Sequence, residues 1–493
     1  AEANGGKVDG KVVAVEKQLE SAMSWYGEDF GCFNAKFVTD QGFGTWNTGD
    51  IVNEFVTRGG GRNYPDIVRA YVENSGATLD HMLEVAAEMG IDERCYTYDN
   101  TQDGWVIVQA NMDYDKIQAG TDIYECLNKT NYPLTPGTKT WAGAVQFMGE
   151  YNDEPIQGVA ANSVLPKVNQ ACLDKATSLG GTIRYGSTAV VLVQNDNGDV
   201  TGVIVEEKAR TSRSTSRRAL SFAGGDYCGN PDMCWALLNE YMERNEREGG
   251  LKADFYSFMG GRDGSSVKLG CMAGGFIEPA PRGCMILGGG LGGPWGANAM
   301  LWLNSKGERF CNEGRQYFGR ALAIDVLAKQ NEQDGKEVVL MIPTTPELEK
   351  LLSVREIVWP CGDTVEEVAE QVGLDPAKVK ATVERYNGFV EAGLDEDFGR
   401  SGEHLVPMNG PFYAAPVTVS TSMTIGGVKI NTNGEALKLA SSGKGDVTLE
   451  PVPGLYATGE VCEWNCASGW TVLSAVTIGR IAGQNAAAEG SAS

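Results

Sequence analysis

The chain has 493 residues, of which 42% are hydrophobic and 22% are charged, and its formal net charge is −24. The length predicts two to four domains at roughly 100–200 residues each, with ample apolar content for a buried core. The negative charge argues against a nucleic-acid partner, whose phosphates need Lys and Arg, and against binding to anionic membranes. No run of about 18 apolar residues occurs, so no membrane span is predicted.

Cysteine and histidine spacing predicts no metal site. The twelve cysteines and two histidines show neither the C-x-x-C pattern of zinc sites nor a haem-attachment motif. Most cysteines are expected to be small buried residues, with Cys462 and Cys466 leaving open a redox pair. The 64 glycines are a larger share of the 493 residues than the roughly 7% typical of proteins. They cluster between apolar runs. This pattern is typical of backbone that turns tightly or approaches a ligand.

The first predicted element is a strand in "GKVVAVEKQ", which ends on Glu16. An acidic residue in this place binds a ribose in dinucleotide-binding units, about 20 residues after a glycine-rich phosphate loop. We therefore expect that loop and its strand to precede residue 1. The alternative is that Glu16 merely ends a surface strand.

The next elements alternate between helices and strands. Residues 63–90 have apolar side chains at helical spacing and are predicted to form two helices, and residues 163–180 one more. "TAVVLVQNDNGDVTGVIVEE" predicts a hairpin with an Asn/Asp/Gly turn. "RRALSFAGGDYCGNPDM" predicts a strand, a glycine turn and the start of a helix.

The character of the chain changes between about residues 280 and 410. A glycine-rich stretch with a turn at 305–307 precedes a helix pair in which Asp375 caps the second helix and Pro376 occupies its first turn. This stretch resembles a separate, mostly helical insertion. The tail then returns to an Asn-Gly hairpin, a strand ending in a glycine turn in "GLYATGEV", and a helix rich in small residues.

Five segments in this order resemble one known family. They are "VVAVEK", "SFAGGDYCGNPDM", "GRDGSSVKLGCMAGG", "ATVERYNGFVEAGLDEDFGR" followed by "GPFYAAPV", and "GLYATGEV" with "SAVTIGRIAG". The chain is similar to the FAD-dependent fumarate reductase/succinate dehydrogenase flavoprotein family, in its soluble enoate- and urocanate-reductase-like branch. The resemblance covers nearly everything from Lys11 onward.

The resemblance implies an α/β fold: an FAD-binding Rossmann-like domain of the glutathione-reductase type with an inserted α+β capping domain. The expected boundaries are 1–279 and 411–493 for the FAD-binding domain, without its phosphate-loop strand, and 280–410 for the cap. The residues expected to bind FAD are Glu16, Lys17, Gly224, Gly225, Asp263, Gly459, Glu460, Leu473, Ser474 and Ala475. The last three open the final helix, whose N-terminus would stabilise negative charge on reduced flavin.

The chain departs from the family where a dicarboxylate would be bound. The position of the family's proton-donating arginine is Tyr317, flanked by Arg315 and Arg320 in "ERFCNEGRQYFGRALAI". A family histidine is replaced by Met423, and a carboxylate-binding arginine by Trp470. A doubly charged ligand without paired donors is costly to desolvate. We therefore expect Met423, Gly426, Gly427 and Trp470 to bind an acceptor more apolar than fumarate.

The activity implied is the reduction of an activated carbon–carbon double bond. Hydride would come from flavin N5, and the proton from Tyr317, Arg315 or Arg320. Expected partners are a small-molecule alkene and an electron donor linked to haem, FMN or quinol, with anaerobic respiration as the setting. Alternatives are a dehydrogenase desaturating a ketone or steroid-like substrate, a flavin-binding protein without catalysis, and, for Tyr317 and Trp470, packing roles.

Overall fold

The computed structural model describes most of the predicted elements. The residues described are 12–18, 29–40, 45, 47–58, 64–90, 94–96, 144–148, 165–207, 210–215, 219–238, 262–279, 282–287, 300–313, 326, 329–330, 332–333, 337–344, 349, 352, 358–400, 405–417, 420–443, 446–459 and 471–489. Its helices are α1 Lys36–Thr39, α2 Thr48–Arg58, α3 Pro65–Glu88, α4 Leu165–Ser178, α5 Pro231–Leu237, α6 Ser265–Met272, α7 Val365–Gln371, α8 Pro376–Ala392 and α9 Thr471–Ala488.

The strands form parallel pairs and antiparallel sheets. They are β1 Val13–Val15, β2 Asp29–Gly31, β3 Arg94–Tyr96, β4 Ala144–Met148, β5 Thr182–Arg184, β6 Ser187–Gln194, β7 Val200–Glu207, β8 Arg210–Thr215, β9 Leu220–Phe222, β10 Gly283–Leu287, β11 Leu301–Leu303, β12 Val338–Pro343, β13 Cys361–Gly362, β14 Phe412–Val417, β15 Ser420–Ile425, β16 Glu435–Gly443 and β17 Asp446–Ala457. The pairs β1–β5 and β9–β17 are parallel, the pairing expected of an α/β nucleotide-binding unit.

Local signals placed most turns and caps correctly. Strands β6 and β7 form the predicted antiparallel hairpin. The side chain of Asp375 accepts hydrogen bonds from the N–H groups of Ala377 and Lys378 and so caps α8, with Pro376 directly after it. Gly434 has φ of +79°, as the predicted Asn-Gly turn requires. These predictions are confirmed.

The prediction of two helices within residues 63–90 is wrong, because α3 is one helix of 24 residues. Gly76 lies in the middle of this helix, where another segment crosses it. A Cβ atom at Gly76 would lie 2.4 Å from the carbonyl oxygen of Phe33. The hydroxyl of the neighbouring Ser75 accepts a hydrogen bond from the N–H of Phe33 at 3.0 Å. Gly76 therefore permits close packing and does not end the helix.

Two clusters of buried side chains form the core of the described residues. The larger one joins α3, β9, β17 and α9. The smaller one lies between α7, α8 and the sheet β11–β12–β14–β13. Strand β12 serves both, since Leu340 and Ile342 pack in the larger cluster and Val339 and Met341 in the smaller. The stretch read as mostly helical therefore also contributes strands β10 to β13, which the helical pattern did not reveal. Among the described residues, no helix is long and apolar enough to cross a membrane.

Candidate functional site

Glu16 follows β1 at the carboxyl end of the parallel pair with β5. Its backbone N–H donates to the carbonyl of Arg184 at 2.9 Å, and its carbonyl accepts from the N–H of Ser187 at 2.8 Å. Its side-chain Oε1 accepts from the N–H of Gln18 at 2.8 Å. The strand therefore ends in a half-buried, oriented carboxylate, the group that accepts hydrogen bonds from ribose hydroxyls in dinucleotide sites.

Lys17 and Asp263 are in contact across 246 positions of the chain. The Lys17 Nζ donates to Asp263 Oδ2 at 2.7 Å, and the backbone N–H of Ser265 donates to Asp263 Oδ1 at 2.9 Å. The Asn230 Nδ2 donates to the carbonyl of Asp263 at 2.7 Å. Partial burial alone would raise the pKa of Asp263, but the hydrogen bonds from Lys17 and Ser265 outweigh it and lower the pKa to about 2. Two residues predicted to bind the cofactor thus lie together.

Two glycine turns lie side by side at the carboxyl ends of β9 and β17. The N–H of Thr458 donates to the carbonyl of Phe222 at 2.8 Å and so joins the two strand ends. Gly225 and Gly459 have φ of +78° and +66°, which glycine adopts without strain. A Cβ atom at Gly224 would lie 2.0 Å from the Ser266 Oγ and 3.0 Å from its Cβ, so α6 packs closely against this glycine.

The beginning of α9 lies against the second of these turns. A Cβ atom built on Gly459 would be 3.9 Å from the Cβ of Ala475. Leu473 and Ser474 are fully buried in the same turn of the helix. The predicted residues of the closing segment therefore meet at a helix N-terminus, where backbone N–H groups without helical partners favour negative charge.

These groups fit an FAD molecule. Contacts run from Lys17 through Asp263 to the turn after β9, and from that strand through Thr458 to Gly459 and α9. This series offers a carboxylate for ribose, glycine backbone where a cofactor must approach closely, and a helix N-terminus for a flavin carbonyl. The fit rests on the residues that are described; Glu460 lies outside them.

Two buried carboxylates that the sequence analysis missed lie behind the predicted substrate residues. Asp226 and Glu278 are both fully buried, and each is paired with an arginine. Burial raises the pKa of Asp226 despite the neighbouring Arg262. The fully buried Tyr227 is held as a phenol, because burial and then the charge of Glu278 raise its pKa well above the usual value. Two features of the sequence could have indicated these carboxylates. Asp226 directly follows the glycine pair in "GGDY", and Glu278 and Arg282 have i,i+4 spacing.

The first residues of the predicted catalytic segment take part in a buried network of ion pairs. Arg309 donates to both oxygens of Glu313, at 2.9 and 2.7 Å, and to both oxygens of Asp395, at 3.2 and 2.9 Å. Arg400 Nη1 lies 3.6 Å from Glu313 Oε2 and donates to the carbonyl of Met300 at 3.0 Å. The network fixes residues 309–313. The catalytic candidates themselves, Arg315, Tyr317 and Arg320, lie outside the described residues, as does Trp470.

The remaining predicted substrate residues lie on or after β15. Met423 is opposite Met285 of β10 in the antiparallel pair. Gly426 and Gly427 follow that strand and contact the carboxyl group of Glu278. Asp226 accepts a hydrogen bond from the N–H of Thr424 in the same strand end. Both carboxylates therefore contact the stretch that contains these glycines.

Comparisons with known proteins identify the family of the chain. The family described as FAD binding domain matches residues 50–471. The vinyl phenol reductase of Lactiplantibacillus plantarum is 26% identical over 400 residues, covering 74% of this chain and 78% of that protein. A fumarate reductase (cytochrome) of Shewanella frigidimarina is 26% identical over 354 residues, covering 67% of this chain but only 55% of that protein.

A solved structure shares the fold. The crystal structure of 3-ketosteroid-delta4-(5alpha)-dehydrogenase from Rhodococcus jostii RHA1 aligns with a TM-score of 0.64 at 18% identity, covering 99% of this chain and 93% of that one. Fold and site together define an FAD-dependent oxidoreductase. The chain belongs to the FAD binding domain family and fits its fumarate reductase/succinate dehydrogenase flavoproteins. FAD is its cofactor.

Proposed function

We propose that this protein reduces an activated carbon–carbon double bond in an acceptor that is apolar or aromatic and carries at most one carboxylate. The observation that carries the proposal is the match to a vinyl phenol reductase over 78% of that relative's length. Support from the site comes from the residues that fit FAD, above all the Lys17–Asp263 pair and the Gly459 turn at the start of α9.

We also propose the domain organisation implied by the family resemblance. Residues 1–279 and 411–493 form the FAD-binding domain of glutathione-reductase type, and residues 280–410 form an α+β cap. Support comes from the smaller buried cluster, in which α7 and α8 pack on the sheet β11–β12–β14–β13. Both helices and the strands β11, β12 and β13 lie within residues 280–410, and β14 follows directly after that stretch. The cap excludes water from the reacting groups and supplies the proton donor.

In the proposed mechanism, Lys17, Asp263 and the Gly459 turn would hold FAD, which would supply the hydride for the β carbon of the alkene. Tyr317 gives the proton of its hydroxyl to the α carbon, which completes the saturated product. Arg315 or Arg320 then returns a proton from solvent to the tyrosinate. The Arg309 network supports this role because it fixes Glu313, four residues before Tyr317.

Fumarate is not the proposed substrate. The three positions at which the family binds or protonates a dicarboxylate carry Tyr317, Met423 and Trp470. Two carboxylates brought into a site without matching donors would each lose their hydration and gain no hydrogen bonds in its place. We propose instead that the apolar residue types at positions Met423 and Trp470 favour an aromatic acceptor.

The electron donor is proposed to be a separate redox group linked to haem, FMN or quinol. A relative named fumarate reductase (cytochrome) supports the haem alternative. The chain spans about half of that relative, so the donor can reside on a further segment or on another protein. Mixing the oxidised protein with a reduced c-type cytochrome, a reduced FMN protein or a quinol, and following the reduction of its flavin, would distinguish the three.

The test is a dye-linked assay under anaerobic conditions with the FAD-loaded protein. Reduced methyl viologen should be oxidised faster with 4-vinylphenol than with acrylate, and fumarate should give the slowest rate. Tyr317→Phe should lower kcat by about 100-fold or more while FAD content stays unchanged. Tyr185→Phe, at a tyrosine that is 38% exposed, is the matched control and should have no effect.

The assay has three outcomes against the proposal. A purified protein without FAD would refute it. Dye reduction by a 3-ketosteroid without alkene reduction would favour the dehydrogenase direction. No turnover in either direction, with Tyr317→Phe identical to the parent protein, would favour a flavin-binding role without catalysis.

A further inference from the structure

Two buried carboxylates bind the same short backbone segment, residues 424–427. The Asp226 carboxylate accepts a hydrogen bond from the N–H of Thr424. The Glu278 carboxylate accepts one from the N–H of Gly427, and the N–H of Glu278 donates to the carbonyl of Gly427 at 3.1 Å. The segment is therefore held near both of its ends by acids from separate parts of the chain.

Each acid is neutralised inside the protein by its own arginine. Arg262 Nε lies 3.4 Å from Asp226 Oδ1, and Arg282 Nε lies 3.2 Å from Glu278 Oε1. The arginine side chains are only 11% and 13% exposed. An ionised carboxylate without such a partner would be too costly to bury. Two ion pairs kept at this cost, both on one segment, indicate a role in fixing that segment.

The fit between Glu278 and the segment is close enough to exclude any side chain. A Cβ atom at Gly426 would lie 2.2 Å from Glu278 Oε1 and 2.7 Å from its Cδ. Real Cβ atoms do not approach other atoms so closely, so only glycine is compatible with the carboxylate where it lies. The Glu278 carboxylate therefore fills the space beside Gly426 and also accepts the hydrogen bond from the N–H of Gly427.

We propose that Asp226 and Glu278 are positioning residues that set substrate charge: they fix residues 424–427 and use the N–H groups of Thr424 and Gly427, so the end of the substrate that faces this segment must be uncharged. The proposal rests on the proposed function, which puts Met423, Gly426 and Gly427 beside the acceptor. Backbone N–H groups are common ligands for substrate carboxylates, and here two are already bound.

The first experiment measures hydrogen exchange of the Thr424 and Gly427 amides in the FAD-loaded protein and needs no activity. Glu278→Ala removes the acceptor, and exchange at Gly427 should accelerate about tenfold or more. Glu278→Gln retains an acceptor oxygen of the same reach, and exchange should stay within a few-fold of the parent protein. Glu366→Gln is the matched control. Glu366 is far from Glu278 in the sequence and forms a surface ion pair with Lys380.

The second experiment measures substrate binding through the change in the flavin absorption spectrum, with 4-vinylphenol and acrylate as probes. Glu278→Ala leaves the Arg282 guanidinium with its backbone acceptors, the carbonyls of Leu237 and Glu278, but without a carboxylate. Acrylate should therefore bind at least about tenfold more tightly relative to 4-vinylphenol. Glu278→Gln should change this ratio less. Equal changes for both probes, or unchanged exchange at Gly427, would overturn the proposal.

A companion variant guards against misfolding of Glu278→Ala. Replacing both partners, Glu278→Ala with Arg282→Met, removes the cation as well; it should keep the fast exchange at Gly427 but lose the gain in acrylate binding. If the parent protein turns over no alkene, the proposed function fails. Hydrogen exchange still decides whether Glu278 holds the segment, and the spectral titration still decides whether it sets the preference for charge.

Discussion

Replacing Arg309 by methionine should destabilise the protein strongly, because the change leaves two buried carboxylates without their main partner. The guanidinium makes four hydrogen bonds to Glu313 and Asp395, whose side chains are fully buried, and is itself 4% exposed. Breaking a buried ion pair from one side costs about 3–5 kcal/mol. Arg400, at 3.6 Å from Glu313, compensates only in part. We expect a loss in the free energy of unfolding near the lower end of that range.

Arg385→Met is a closely matched control. Arg385 also binds one carboxylate in bidentate fashion, Asp397 at 2.7 and 2.6 Å, and its guanidinium carbon lies 4.8 Å from the centre of the Phe389 ring. Arg309 has the same 4.8 Å contact with the ring of Tyr386. The difference is burial, since Arg385 is 60% exposed. Its replacement should therefore cost much less stability than that of Arg309, since solvent screens an exposed ion pair.

Urea denaturation followed by tryptophan fluorescence measures both losses. The pH dependence has a definite sign. Partial burial alone would raise the pKa of Asp395, but its hydrogen bonds with Arg309 outweigh this and lower it. A lowered pKa contributes stability that is present at neutral pH and is lost as the pH falls through the folded-state pKa. The gap between parent and Arg309→Met should therefore shrink in acid. Equal losses for the two variants, or a gap that widens in acid, would refute the reasoning.

Two further predictions concern packing and the cofactor site. Gly76→Ala should destabilise the protein by about 1–3 kcal/mol in a thermal-melting assay, because its Cβ would lie 2.4 Å from the carbonyl of Phe33. The control is Gly388→Ala, in an open part of α8. It should be neutral or stabilise the protein by up to about 1 kcal/mol in the same assay. Lys17→Met should weaken FAD binding several-fold in a fluorescence titration. It should also raise the pKa of Asp263 from about 2, so the stability gap to the parent protein should hold above about pH 4 and close between about pH 4 and pH 2. An unchanged FAD affinity would argue against Lys17 as part of the cofactor site.

Some of this architecture was readable from the sequence because its causes are local. A cap such as Asp375, a turn such as Asn433–Gly434, and the hairpin of β6 and β7 depend on residues within a few positions of each other. The resemblance of five segments to a flavoprotein family likewise predicted a flavin fold, since each of these motifs is contiguous in the chain. The roles of Arg315, Tyr317 and Arg320 remain predictions.

The sequence by itself determined the helix caps, the turns and the carboxylate at the end of β1, because these follow from short-range hydrogen bonding and backbone preference. Only the tertiary structure decided that Gly76 continues a helix, that Lys17 meets Asp263, and that Asp226 and Glu278 hold the segment after β15. These contacts join residues up to 246 positions apart. Which distant groups meet depends on how whole elements pack, and an acid's neighbours after packing decide whether it is solvated, paired or buried.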